Sequence, residues 1–172
     1  MSRVPLLGPE DLSGEAADTA AWIAASRGDV ARPFAVLLHR PELARKVAEL
    51  GAEVRFSGVL REDQRELAIL ATAHAHGCGF EWKTHRDIAL DAGVRSATVA
   101  ALAGSGAAPF TSDEATVIDF ARQFVRDSTV DEVTFQRAHE LLGVSGVVEL
   151  AVVVGYYSML ACVLNTCAPG TG

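Results

Sequence analysis

The chain has 172 residues, of which 49% are apolar and 22% charged, with a formal net charge of −7. That length suffices for one domain with its own core, and Ala-rich apolar content favours a helical globular protein. The acidic balance argues against nucleic acid or an anionic membrane as partner, though a local pocket can still take an acidic small molecule.

The residues from Met1 to Gly14 lack a basic stretch followed by an apolar one, so no signal peptide is expected. Ser13 to Arg27 reads as a helix anchored by Trp22 and Ile23 and ended by Gly28-Asp29. Pro33 to His39 is a short helical turn. Pro41 opens a second helix, to about Val54, from the first helical position. Phe56 to Leu60 is a connector. A helical hairpin follows, its first arm from about Glu62 to His76 and its second ending near Gly93, with Gly77 and Gly79 breaking it. Ser96 is the expected N-cap of a short helix to Ala103, and Gly104 to Pro109 is a small-residue linker. Thr111-Ser112-Asp113-Glu114 starts a helix to about Asp127. Asp131 or Glu132 starts another, ending at Gly143. Ser145 to Cys167 closes the chain. This last helix is apolar on nearly every face, which suits a core, a subunit interface or both. Its Val147 to Val163 run holds Glu149, Gly155 and Ser158 and reads as a buried helix rather than a membrane span. Nothing alternates long enough to be a buried strand, so an all-α, single-domain chain is expected.

The hairpin carries the chemistry. Cys78, Glu81 and His85 stand three and four residues apart and share one helix face. Ile88, Ala89 and Ala92 continue that stripe, while Lys83, Thr84, Arg86, Asp87 and Asp91 lie opposite. The leading half of an inward stripe is thus polar and titratable. Glu66, on the facing arm, projects along the line of Leu70, Ala73 and Gly77. Two outcomes stay open on spacing alone. An ordinary (i, i+4) pair with a small buried thiol leaves Glu81 and His85 in water and Glu66 bridged to a surface cation. A site brings Glu66, Glu81, His85 and Cys78 together at one partly enclosed pocket, with Trp82 as wall.

Other candidates carry less. His74 and His76 differ by about 200° on a helix, so they cannot chelate one ion there. His39 and His139 read as structural or exposed. Tyr156, Tyr157 and Asn165 can reach inward from the last helix, but a satisfied core role suits each. Cys78, Cys162 and Cys167 form no CxxC or zinc spacing, and a reducing cytoplasm fits them.

Glu66, Cys78, Glu81 and His85 together resemble the signature of the carboxymuconolactone decarboxylase / alkylhydroperoxidase-D-like superfamily. Its peroxidase branch has Glu, then Cys-x-x-Cys-x-x-x-His. Here Glu81 stands at the second cysteine, and Cys78-Gly-Phe-Glu-Trp-Lys-Thr-His85 resembles the C-x-x-E-W-x-x-H form of its decarboxylase members. Leu38 to Leu43 resembles the superfamily's opening segment and Glu149 to Ala161 its last long helix, so the likeness spans roughly Arg32 to Pro169. It implies a helical bundle around the hairpin, a trimer or hexamer, and neither metal nor cofactor.

A disulfide cycle needs two thiols, one to attack peroxide and one to resolve the sulfenic acid, and Glu81 removes the local partner. At a helix N-terminus the Cys78 thiol is favoured as thiolate, but neighbouring carboxylates oppose that. Glutamate with histidine suits proton transfer. The expectation is therefore an acid–base enzyme acting without cofactor by decarboxylation, isomerisation or a related step. Its substrate is a small carbonyl- or carboxylate-bearing metabolite. His85 is the principal acid/base, Glu81 its partner, Glu66 the tuning group, and Cys78 and Trp82 line the site. The alternatives are a thiol peroxidase or redox sensor using Cys78, and a non-catalytic binding protein.

Overall fold

The computed structural model describes residues 2–104 and 110–169, and every regular element among them is helical. The helices group into two compact units. Among the described residues, the first holds 2–57 and 162–169, and the second runs from Gly58 to Ala161.

In the first unit a 3-10 turn, Pro9–Asp11, leads to α1 (Gly14–Arg27), α2 (Arg32–Leu37) and α3 (Pro41–Phe56). Ser13 enters α1 with extended backbone, and Gly28 at φ 90° ends it, its N–H bonding Ala24 O at 2.8 Å. Pro33 and Pro41 sit in the first turns of their helices, where no N–H is missed. Ile23, Phe34, Leu38, Ala44 and Ala48 make the core of this unit. The N–H groups of Arg3 and Val4 donate to Cys167 O, tying the N-terminal segment to the end of the last helix.

The second unit is built on α4 (Glu62–Ala75). Ten consecutive residues, Gln64 to Ala73, are buried, so α4 has no wet face over nearly three turns. α5 (Gly79–Asp91), α6 (Ser96–Leu102) and α7 (Ser112–Asp127) pack against it. α7 starts with a capping box in which Thr111 Oγ1 accepts from Glu114 N–H and Glu114 accepts from Thr111 N–H. α8 (Glu132–Cys167) follows, broken where Gly143 adopts φ 69° and ψ 179°. Glu149 of α8 accepts the Val59 and Leu60 N–H groups at 2.5 and 3.3 Å. A Cβ on Gly58 would stand 1.9 Å from its Oε1, so this approach requires glycine.

Two local expectations change, and a third falls largely outside the described residues. Arg95, not Ser96, is the N-cap of α6, and no side chain bonds there. Gly79 is the first helical residue of α5; the break is made by Gly77 alone, at φ 59°. The linker foreseen at Gly104 to Pro109 lies, from position 105 on, outside the described residues. α8 is also long and apolar enough to cross a membrane by length and composition, with half of its most apolar stretch buried inside the fold. Val144, Val148, Val152 and Met159 form an exposed apolar line along it.

Candidate active site

The α4–α5 hairpin closes tightly. Gly77 N–H donates to His74 O at 3.0 Å and Cys78 N–H to Ala73 O at 2.8 Å, satisfying the last carbonyls of α4. The positive φ at Gly77 turns the chain so that α5 runs back along α4. Glu66, nearly three turns before the break, therefore meets His85, nearly two turns after it.

Glu66, Glu81 and His85 are 1%, 3% and 4% exposed. His85 Nδ1 lies 2.7 Å from Glu66 Oε2. With that carboxyl ionised, Nδ1–H is the donor, and the partner assigns the tautomer. Nε2, the other ring nitrogen, lies 3.6 Å from Glu81 Oε2. Arg65, also buried, sets its Nε 3.7 Å from Glu66 Oε1. Tyr157 meets the imidazole edge-on, ring centroids 5.0 Å apart at 86°, and Tyr156 packs edge-on against Tyr157.

The Arg65 guanidinium is shared, its Nη2 lying 3.7 Å from Glu62 Oε1 at the edge of the cluster. Each buried ion costs several kcal/mol to desolvate, and replacing such a cluster by well-packed apolar residues is often neutral or stabilising.

Cys78 is the N-cap of α5 and 2% exposed. Burial pushes its thiol pKa up. The Glu81 carboxylate adds to that shift, while the backbone N–H groups of Glu81 and Phe80 oppose it. Desolvation thus outweighs the helix terminus. The sulfur borders an open groove of about 350 Å³ lined by Ala73, His74, Gly77, Cys78, Gly79, Trp82 and Ala103. Trp82 is half-buried and tilted against the exposed His74 ring, centroids 5.6 Å apart. The five predicted site residues thus divide. Cys78 and Trp82 line the groove; Glu66, Glu81 and His85 form a buried cluster and are not among its walls.

Arg65 is the residue the sequence reading passed over. Its signal was available: it is the one cation inside an otherwise Ala-, Leu- and Glu-rich stretch that α4 buries on all sides. Elsewhere, His39 Nε2 lies 2.9 Å from Pro5 O, and His139 stacks on Phe135. His76 is half-buried, and desolvation lowers its pKa. Among the described residues no group of three or more His, Cys, Asp and Glu is placed to hold a metal ion.

A model of the carboxymuconolactone decarboxylase family matches residues 41–123, which include the whole hairpin. Among solved structures, the chain is similar to an uncharacterized peroxidase-related protein from Ralstonia eutropha JMP134 with an alkylhydroperoxidase AhpD core. The TM-score is 0.77 and the identity 21%, over 99% of this chain and 92% of that one. At this identity the likeness speaks for the fold. No functionally curated protein matches.

Proposed function

From the premise that this chain belongs to the carboxymuconolactone decarboxylase / alkylhydroperoxidase-D-like superfamily, we propose that it is an acid–base enzyme whose working pair is His85 and Glu81. The observation that carries the proposal is the buried 2.7 Å contact of His85 Nδ1 with Glu66, which leaves Nε2 facing Glu81. Glu66 orients the imidazole, and Arg65 stands as counter-charge to Glu66. Nε2 takes a proton from a carbon beside a carbonyl, and Glu81 or the resulting imidazolium returns one to the adjacent atom. Decarboxylation and isomerisation of a small carbonyl- or carboxylate-bearing metabolite both need such a pair. General acid–base groups of this kind contribute about 10²–10⁴-fold in rate. The reaction needs no cofactor, and the compartment read from the three cysteines is the cytoplasm. Members of the superfamily form trimers or hexamers, and the exposed Val144, Val148, Val152 and Met159 line of α8 supports self-association here.

A second reading has its own support. The Ralstonia protein is described as peroxidase-related, and its fold is shared along nearly the whole chain. On that reading the Cys78 thiolate attacks a peroxide oxygen and becomes a sulfenic acid, and the alkoxide leaves and is protonated to the alcohol. One external thiol then forms a mixed disulfide with loss of water, and a second releases the cysteine as the external disulfide. Burial of Cys78 and the upward shift of its pKa weigh against a reactive thiolate. A sulfenic-acid probe after one equivalent of peroxide separates the two. The acid–base reading expects no labelling at Cys78 and most activity kept in Cys78→Ala. Fast stoichiometric labelling reverses the order of the readings.

A further inference from the structure

We propose that the groove at the α4–α5 turn binds a small planar carboxylate, its ring lying on Trp82 and its anionic end held by His74. This binding is independent of the proton-transfer reading above, whose three residues are not among the groove's walls.

The groove exists because four of its seven walls, Ala73, Gly77, Gly79 and Ala103, end at or before Cβ. Its volume of about 350 Å³ lies at the small end of ligand pockets and suits a single ring with a substituent. The two large walls are both planar rings, the half-buried Trp82 indole and the exposed His74 imidazole. Flat walls favour a flat guest, since an aromatic face gains most from an offset or edge contact with another ring.

Charge selects the rest. The chain carries a net −7, yet none of the seven lining residues is acidic. His74 offers a ring N–H to this groove. A neutral aromatic gains the indole contact alone. A non-planar carboxylate gains the charge alone.

The test uses Trp82 as reporter. The chain has two tryptophans, so Trp22→Phe leaves fluorescence from Trp82 only. Benzoate is titrated against benzamide and cyclohexanecarboxylate as controls. We expect saturable quenching by benzoate, with both controls binding about tenfold or more weakly, the scale of one charge-assisted hydrogen bond. His74→Ala, an exposed and foldable change, should weaken benzoate about tenfold and leave benzamide unchanged. Non-saturable quenching, or equal binding of benzoate and benzamide in both proteins, overturns the proposal. Either result leaves the His85 reading standing, because that reading is tested by proton exchange and not by this groove.

Discussion

Replacing Glu66 by glutamine keeps the side chain's shape and removes its charge. The structure fixes what that change removes. Glu66 is 1% exposed, accepts from His85 Nδ1 at 2.7 Å and faces Arg65 Nε at 3.7 Å. A charge-assisted hydrogen bond is worth about 1.5–3 kcal/mol net. Removing one partner of a buried ion pair costs about 3–5 kcal/mol, because the charge left behind stays buried and unpaired. The amide still accepts one hydrogen bond, so the expected cost is about 2–4 kcal/mol at neutral pH. For a chain of this size that lowers the melting temperature by roughly 4–16 °C. Urea denaturation followed by circular dichroism measures it, with the slope of the transition as a check that only stability has changed. Arg65→Met in the Glu66→Gln background should recover part of the loss, with a coupling of about 0.5–3 kcal/mol. A loss under about 0.5 kcal/mol, within the range of ordinary surface substitutions, would refute the argument that Glu66 holds the buried cluster together.

Other outcomes follow from the same coordinates. The Glu114 carboxyl is held down to about 2, chiefly by the Arg95 guanidinium, with Thr98 and the Thr111 N–H helping against partial burial. Its stabilising effect is therefore present above the ordinary glutamate range and lost as pH falls through about 2, so Glu114→Gln should destabilise at pH 7 and cost progressively less in denaturation below pH 4. Gly58→Ala must push the Glu149 carboxylate away from the Val59 and Leu60 N–H groups, costing about 1–3 kcal/mol. Combined with Glu149→Ala it should cost clearly less than the sum, and strict additivity in denaturation would contradict the latch. Light scattering should find a trimer or hexamer at micromolar protein, and Val148→Lys, in the middle of the exposed apolar line of α8, should shift it toward smaller species. A stable monomer in both proteins would remove that assembly.

How far the sequence carried is best seen residue by residue. Gly and Pro placement gave most helix limits, because those residues act through local backbone geometry: Gly28, Gly77 and Gly143 all take positive φ at helix breaks. The Glu66–His85 meeting was legible too, since the arms of the hairpin run antiparallel and both side chains face the space between them. What was not legible depended on burial. Arg65 precedes Glu66 by one residue, about 100° around the helix, and it enters the cluster because α4 is packed on every side. The balance at Cys78 was likewise undecidable from spacing, because helix terminus and carboxylate were both visible while desolvation, the largest cause, was not. The groove depends on small residues from three elements, with Ala103 far away in sequence, so one pocket was expected where the structure separates groove from cluster. Ser96 failed as a cap because Arg95 already adopts the extended backbone of that position.

The account stands on His85 moving protons to and from carbon. Hydrogen exchange at carbon tests that without knowing the natural reaction. Small keto acids and lactones are incubated with the protein in deuterium oxide, and loss of the carbon-bound signal beside the carbonyl is followed by proton NMR. The wild-type chain and Cys78→Ser should exchange at least one such compound, and His85→Gln should lose about 10²-fold or more of that rate. Exchange no faster than in buffer across the panel, or a His85→Gln protein as fast as wild type, would contradict the account.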